Sequence, residues 1–231
     1  MSEGTGCRHC NAKTILSFDT TTMCNKMRRG HPCVYCYVSN SRDGGFRSKS
    51  VIMDDKYDGW VKRLRPETVS RLEEIGGLRM FAFGDYLRKH RMEVRKFLED
   101  CQDVMIPVKA ITKVFSFVSD WHDHPAISVL NVSVDNVTGK GGRSPISLEV
   151  AEELRARYRK VRIRSVCLSD DDVEFFGKNK KVDVLTLNHG RNGFKVFSAA
   201  EHKAIEARYP DRVCCVNRTC EGCSVRCGLG S

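Results

Sequence analysis

Short apolar runs alternate along the chain with longer segments whose apolar positions recur at helical spacing. The apolar runs predict six β-strands, at 14–18, 78–83, 104–111, 128–134, 161–168 and 182–187. The amphipathic segments predict helices at 58–75, 93–101, 114–121, 148–158 and 199–209. Because strands that alternate with helices at this period form parallel sheets with crossover connections, we expect an α/β fold.

Local signals mark the ends of several elements. Pro66 indicates a break or a new start within the first helical segment, and Gly76-Gly77 closes that segment. Ser147, followed by acids, predicts the N-cap of the helix that starts at 148. Pro107 counts against a central position in the sheet for the strand at 104–111.

The strand–helix units favour a partial TIM-like (β/α)6 barrel, with an open doubly wound sheet as the alternative. Neither GxGxxG nor GxxxxGK[ST] follows a strand, which disfavours a nucleotide-binding fold. In a barrel, functional residues lie where strands end, and here Gly84-Asp85, Asp135 and Asn188-His189 follow strands. We expect a core at 14–210, an N-terminal CxxC segment at 1–13 and a cysteine-rich extension at 211–231.

Charge and composition narrow the class of protein. The 231 residues are 41% hydrophobic, which excludes a disordered chain, and the net charge of +10 favours a polyanionic partner, nucleic acid first. The alternative is a solvated basic surface without a partner. No apolar run approaches the ~20 residues of a membrane span, and the N-terminus lacks the apolar stretch of a secretory signal. We therefore expect a cytoplasmic protein without a membrane partner.

Ten of the 12 cysteines fall into three groups, which in a reducing compartment indicates metal ligands. The groups are Cys7 and Cys10; Cys24, Cys33 and Cys36; and Cys214, Cys215, Cys220, Cys223 and Cys227. Cys101 and Cys167 stand alone, and we expect both to be small core residues.

Two other clusters have metal-like composition. His122 and His124 are two residues apart at a predicted helix end, where we expect a solvated turn. Asp170-Asp171-Asp172 predicts an acidic loop or a helix N-terminus.

Cys24, Cys33 and Cys36 supply three of the four ligands of a [4Fe–4S] cluster, and the open iron suits a cluster that binds a substrate. The loop ending Cys33-Val34-Tyr35-Cys36 resembles the C-x-aromatic-C half of the radical S-adenosylmethionine (SAM) signature, although eight residues separate the first two cysteines where the family usually has three. The resemblance implies that these cysteines bind the cluster, that SAM chelates the open iron and that Tyr35 lies near the adenine. It also implies reductive cleavage of SAM to a 5′-deoxyadenosyl radical and an electron donor such as flavodoxin or ferredoxin.

Further residues match features of the radical SAM family. Phe83-Gly84-Asp85 occupies the place of the Gly-Gly-Glu motif, which receives the SAM amino group. Asn131, Ser133 and Asp135 alternate along one predicted strand and so point one way, and that strand supplies ribose contacts in the family. Other strands carry additional candidates for cofactor binding, namely Lys109, Arg164 and Asn188.

The C-terminal cysteines resemble a zinc knuckle or ribbon, and also the auxiliary iron–sulfur cluster of several radical SAM subfamilies. Five thiols exceed the four that one site needs, so either Cys214 or Cys215 is spare or ligands are shared with Cys7 and Cys10. Given a radical SAM core, a second [4Fe–4S] cluster is favoured over zinc. Its role as an electron relay, a substrate anchor or a structural staple stays open.

The whole chain resembles small radical SAM proteins of bacteriophages, for which one role is hypermodification of thymidine in phage DNA. The resemblance implies an isomerase that rearranges an amino-acid adduct on a base flipped out of DNA, in the host cytoplasm. Basic side chains suit the DNA backbone, first Lys26, Arg28, Arg29, Arg42 and Arg47, then Lys49, Lys62, Arg63 and Arg65. The alternatives are a radical SAM enzyme that acts on RNA or a peptide, a DNA-repair lyase, and a zinc-stabilised nucleic-acid-binding protein without catalysis.

Overall fold

The computed structural model describes residues 17–19, 51–53, 57–74, 77–81, 86–135, 146–188 and 194–214. Within these ranges seven parallel strands form one sheet in the order β2-β1-β3-β4-β5-β6-β7. They are β1 (Ser17–Asp19), β2 (Val51–Met53), β3 (Leu78–Met80), β4 (Val108–Thr112), β5 (Ile127–Asp135), β6 (Val161–Cys167) and β7 (Val184–Leu187). Five of the parallel strands curl through 186°, so the protein has an α/β fold with a partial (β/α) barrel, as predicted.

Six α-helices of the described segments alternate with the strands. They are α1 (Pro66–Glu74), α2 (Arg91–Asp103), α3 (Phe115–Trp121), α4 (Leu148–Arg157), α5 (Asp170–Lys178) and α6 (Ala199–Arg208), with 3-10 turns at Trp60–Arg63 and Arg88–His90. The hydroxyls of Ser147, Ser169 and Ser198 accept hydrogen bonds from the first-turn amides of α4, α5 and α6. The N-cap predicted at Ser147 is confirmed, because a serine oxygen satisfies an amide that lacks an intrahelical partner.

The six predicted strands lie side by side in chain order, as β1 and β3 to β7. The additional strand, β2, pairs with the outer side of β1, where Ser17 lies opposite Val51. Three residues are too few to show the alternation of a strand, so the sequence pattern missed it.

One predicted strand start was wrong, and one predicted helix break was confirmed. The strand predicted at 104–111 begins only at Val108, because Ile106 N donates to Cys101 O at the end of α2 and Met105 adopts a φ of 58°. Pro107 therefore precedes β4, which takes a central position in spite of the proline. The predicted helix at 58–75 divides into a 3-10 turn and α1, whose new start at Pro66 agrees with the sequence signal.

Helix α5 was not among the predicted helices, because its three leading aspartates obscure the spacing of Val173 and Phe176. Both of these apolar side chains are buried. The aspartates form the first turn, where negative charge is favourable, and the Asp172 carboxylate accepts a hydrogen bond from Leu168 N at 2.8 Å. Of the two interpretations of this acidic run, the helix N-terminus is confirmed.

The sheet has one apolar face and one polar face. Residues paired across a parallel ladder point to the same side, so the register assigns every strand residue to a face. The apolar face includes Leu130, Ile163 and Leu185 and belongs to the same core as helix residues Phe97 and Phe117. The other side, which we call the polar face, carries most of the polar strand residues together with apolar ones such as Ile111, Val166 and Val184. Its polar residues include Arg79, Lys109, Asn131, Ser133, Asp135, Arg164 and Thr186.

Cys101 and Cys167 are fully buried members of the core, as predicted. Burial raises the pKa of both thiols, that of Cys167 to about 12, so both are protonated at neutral pH. Within the ranges that the structure describes, no helix is long and apolar enough to cross a membrane.

Gly77 allows β3 to approach the residue before β4. Its φ is 114°, and a Cβ there would lie 1.9 Å from Pro107 O, which accepts a hydrogen bond from Leu78 N at 2.8 Å. Replacing Gly77 with alanine is expected to lower the free energy of unfolding by about 3 kcal/mol in urea titrations.

Gly59→Ala is the matched control for Gly77→Ala. Gly59 also has a positive φ, 82°, but the nearest atom to an added Cβ is 3.6 Å away. We expect this variant to lose about 1 kcal/mol, from backbone strain alone. Equal losses in the two variants would contradict the importance of the Pro107 contact.

Candidate functional site

The carboxyl ends of all the strands meet at one edge of the sheet, because the strands are parallel. The chain leaves β1 at this edge after Asp19, and the next cysteine in the sequence is Cys24. It leaves β3 at the same edge, shortly before Gly84-Asp85, and β5 ends there at Asp135. Two motifs thus follow strands that end at this edge, and the polar row of β5 ends at the same edge.

Many of the predicted site residues lie outside the described residues. These are Cys24, Cys33, Tyr35, Cys36, Phe83, Gly84 and Asp85 for the SAM site, with Cys7, Cys10, Cys215, Cys220, Cys223 and Cys227. The predicted nucleic-acid contacts Lys26, Arg28, Arg29, Arg42, Arg47 and Lys49 are also outside. Asn131, Ser133, Asp135, Arg164, Asn188 and Cys214 are described.

Phe81 and Tyr86 both pack against α3. On one side the Phe81 ring packs 4.8 Å from that of Phe117, and on the other the Tyr86 ring lies 5.3 Å from it. Tyr86 also donates a hydrogen bond to Asp120 at 3.2 Å, and burial raises the pKa of this tyrosine, so it stays neutral. Phe81 adopts a φ of 61°, which is unfavourable for an aromatic residue and is typical of strained functional sites.

Asn131, Ser133 and Asp135 form a row along the polar face of β5. Asn131 and Ser133 are buried, and the side chain of Asp135 is 1% exposed. Lys113 Nζ lies 3.5 Å from Asp135 Oδ2, an ion pair that the sequence did not single out. An amide, a hydroxyl and a carboxylate in one row offer both donors and acceptors, which is the chemistry that sugar hydroxyls require.

Two residues that were predicted for different sites lie next to each other. Arg164 is paired with Ser133 in the sheet, and its Nη2 donates to Cys214 Sγ at 3.6 Å. Cys214 is 8% exposed, so its thiol is enclosed beside the guanidinium. The contact brings a predicted metal-ligand thiol next to a predicted cofactor-binding side chain.

Backbone pairing holds Cys214 against β7. Cys214 N donates to Leu185 O at 2.8 Å, and Leu185 N donates to Arg212 O at 2.7 Å. The Arg212 guanidinium in turn donates to the carbonyls of Phe176, Gly177 and Asn179 at the end of α5, at 2.7 to 3.0 Å. Residues 212–214 therefore lie alongside β7, where Val213 forms a single parallel β-bridge with Leu185.

No family model and no curated protein matches this chain. Partial (β/α) barrels support many unrelated activities, so the fold alone does not identify one. The function is accordingly argued from the residues at the carboxyl edge of the sheet.

Asn188 has a structural contact that its sequence position did not suggest. The side-chain Nδ2 of Asn188 donates to Lys195 O at 3.0 Å. The backbone carbonyl of Asn188 accepts a hydrogen bond from Phe197 N at 3.3 Å. Lys195 pairs with Asp170 and Glu201. These contacts stabilise the connection between β7 and α6. The side-chain amide nitrogen of Asn188 takes part in them.

Two of the basic residues considered for DNA binding are engaged in ion pairs. Lys62 Nζ lies 3.0 Å from Asp100 and 2.8 Å from Asp103, and Arg63 pairs with Asp58 at 2.6 Å. Because carboxylates already compensate both charges, we do not retain these two residues as contacts to phosphate. Arg65 is exposed.

The histidines near the end of α3 have packing roles. The His122 ring stacks on Tyr158 with the centroids 3.8 Å apart, so it is packed against a neighbour and not simply solvated. His124 Nδ1 accepts a hydrogen bond from Ala126 N at 3.2 Å, and burial lowers the pKa of His124. Among the described residues, no three His, Cys, Asp or Glu side chains are grouped so as to hold a metal ion.

Proposed function

We propose that this protein is a radical SAM enzyme that modifies or rearranges a base in nucleic acid, with a hypermodified thymidine adduct in DNA as the substrate. The observation that carries the proposal is the shared carboxyl edge of β1, β3 and β5. In the sequence, β1 leads to the cysteine segment and β3 leads to Gly84-Asp85. β5 carries the polar row that ends at Asp135. A radical SAM site needs all three features within reach of one SAM molecule.

Cys24, Cys33 and Cys36 would hold a [4Fe–4S] cluster with one iron open. When bound, the cluster supplies the electron that splits SAM into methionine and a 5′-deoxyadenosyl radical. The donors and acceptors of Asn131, Ser133 and Asp135 fit the hydroxyls of a ribose. Asp85 would accept the SAM amino group, and Tyr35 would lie against the adenine.

The polar face contributes an environment that limits access of water. Asn131, Ser133 and Lys109 are all buried although they are polar, so a ligand would reach them only inside the protein, away from bulk water. A carbon radical abstracts hydrogen from C–H and S–H groups in reach, so an enclosed site that admits only the substrate prevents side reactions. Phe81 and Tyr86, the described residues on either side of Gly84-Asp85 in the sequence, both pack on Phe117 of α3.

The C-terminal cysteines would bind a second [4Fe–4S] cluster, or zinc, through four of Cys214, Cys215, Cys220, Cys223 and Cys227. Cys214 contacts Arg164, which lies on the polar face beside Ser133. This contact supports a position of the second cluster, or of the zinc, close to the proposed SAM and substrate site. The net charge of +10 supports nucleic acid as the partner, whose target base would flip out of the duplex to reach the edge.

The test is the content of iron, sulfide and zinc per chain after strictly anaerobic purification. About eight iron and eight sulfide are expected for two clusters, and about four iron would assign the C-terminal cysteines to zinc or to no metal. Zinc without iron would overturn the enzyme and favour a zinc-stabilised nucleic-acid-binding protein. With iron present, reduction by flavodoxin or ferredoxin should release 5′-deoxyadenosine from SAM.

The substrate is tested on DNA that carries an amino-acid adduct on the thymine methyl group. An isomerase leaves the mass of the nucleoside unchanged but alters its retention and fragmentation in chromatography coupled to mass spectrometry. A change found only in RNA or in a peptide would replace the DNA substrate while keeping the radical SAM activity.

A further inference from the structure

A cluster of exposed cations follows β3 at the carboxyl edge of the sheet. Residues 88–96 contain Arg88, Lys89, Arg91, Arg95 and Lys96 but a single acid, Glu93. Arg88 and Lys89 are exposed in the 3-10 turn that precedes α2, and Arg91 is the exposed first residue of that helix. We call Arg88, Lys89 and Arg91 the cationic edge.

The charges of the cationic edge are poorly compensated within the part of the chain that the structure describes. No carboxylate there lies within ion-pair distance of Arg88 or Lys89. Arg91 Nε lies 3.7 Å from Asp120 Oδ2, an oxygen that already accepts a hydrogen bond from Tyr86. Arg91 and Arg95 also repel each other, because residues four apart are neighbours on a helix.

Some other cations of the fold are paired with acids. Arg155 makes two hydrogen bonds to Asp183 at 2.9 and 3.0 Å, and Lys181 lies 2.6 Å from Glu152. In the part of the chain that the structure describes, Arg88 and Lys89 have no such ion pair, and their charges keep the positive potential that attracts an anion.

Exposed apolar side chains accompany these cations. Met92 is 68% exposed beside Arg91, and Phe115, the first residue of α3, is 51% exposed. The connections from β3 to α2 and from β4 to α3 both lie at the carboxyl edge. Cations that contact phosphates next to apolar groups that contact sugars or unstacked bases are typical of nucleic-acid interfaces.

We infer that the cationic edge, with Met92 and Phe115, binds the phosphate backbone of duplex DNA beside the site where a base is modified. This inference rests on the proposed function, because it supplies the docking surface for that substrate. Arg88 follows Asp85 by three residues in the sequence, and Gly84-Asp85 is the motif proposed to bind SAM.

The test compares two charge-reversed variants of the full-length protein. Arg88→Glu/Lys89→Glu alters the cationic edge. Arg157→Glu/Arg159→Glu alters two exposed arginines at the opposite edge, the last residue of α4 and one in the connection from α4 to β6. The control thus makes the same change in charge on equally exposed side chains. Binding is measured by fluorescence anisotropy with an unmodified duplex of about 30 base pairs over a range of salt concentrations.

The Arg88→Glu/Lys89→Glu variant is expected to bind roughly 10- to 100-fold more weakly at about 0.1 M salt. The slope of log K against log salt should fall by about two, because two phosphate contacts are lost. The control should stay within about threefold of the unmodified protein. Unchanged thermal midpoints establish that both variants fold.

The outcomes separate this inference from the proposed function. Equal losses in both variants, or no loss in either, would overturn the cationic edge while leaving the enzyme in place. An unmodified protein that does not bind DNA would overturn both the cationic edge and the DNA substrate. A selective loss of binding in a protein that fails to cleave SAM would support the DNA surface and overturn the enzyme.

Discussion

Replacing Cys33 with alanine is expected to remove about four iron atoms per chain and to abolish reductive cleavage of SAM. The proposed cluster has only three protein ligands, because its fourth iron stays open for SAM. The variant leaves two thiolates, which are too few to retain the cluster. The measurements are the iron and sulfide content of the anaerobic protein and the yield of 5′-deoxyadenosine. The effect on product formation should be a complete loss.

Cys167→Ala is the matched control for Cys33→Ala. Cys167 is fully buried, its only contact to a side-chain polar group in the described chain is to Ser165 Oγ at 3.7 Å, and its raised pKa keeps it protonated. This variant should keep its iron and its activity and lose about 1 kcal/mol of stability. A Cys33→Ala protein that retains iron and cleaves SAM would contradict the assignment of the cluster to this segment.

Replacing Arg212 with alanine is expected to lower the free energy of unfolding by about 3 kcal/mol. Its guanidinium donates to three carbonyls at the end of α5, and these acceptors lose a charged donor in a partly buried position. Because Arg212 precedes the segment that carries Cys214, that thiol should also become more reactive toward alkylation. Urea unfolding measures the stability, and peptide mass spectrometry after iodoacetamide treatment measures the labelling of Cys214.

Arg208→Ala is the control for Arg212→Ala, since Arg208 is an exposed arginine that pairs with Glu174. Surface ion pairs contribute little, so we expect a loss of at most about 1 kcal/mol and no change at Cys214. Similar losses in the two variants, or a Cys214 thiol that stays protected without Arg212, would show that Arg212 does not fix the start of the extension.

The fold class was predictable because the strands at the centre of the sheet carry their signal locally. In β5 the polar residues Asn131, Ser133 and Asp135 alternate with apolar ones, and strand geometry puts them on one face. Elements without such a period were missed. β2 has three residues, and in α5 the three leading aspartates obscure the apolar spacing although they stabilise the helix start.

The candidate site was predictable as a set of motifs and not as a set of contacts. The pairing of Arg164 with Cys214 joins residues 50 positions apart, and the capping of α5 by Arg212 joins residues more than 30 apart. Likewise, Lys62 looks like a free cation in the sequence until the fold brings Asp100 and Asp103 to it. No local pattern encodes these pairs, because the packing of distant elements creates them.

The sequence by itself determined the alternation of strands and helices, the cysteine groups and the excess of positive charge. These are properties of composition and short-range order, which the backbone periodicities of helices and strands translate directly into elements. The tertiary structure decided that the sheet curls into a half-barrel, which ion pairs neutralise which cations, and that Arg88 and Lys89 keep their charge exposed. Coulomb interactions depend on distance in space, so only the packed fold determines which charges are left for a partner.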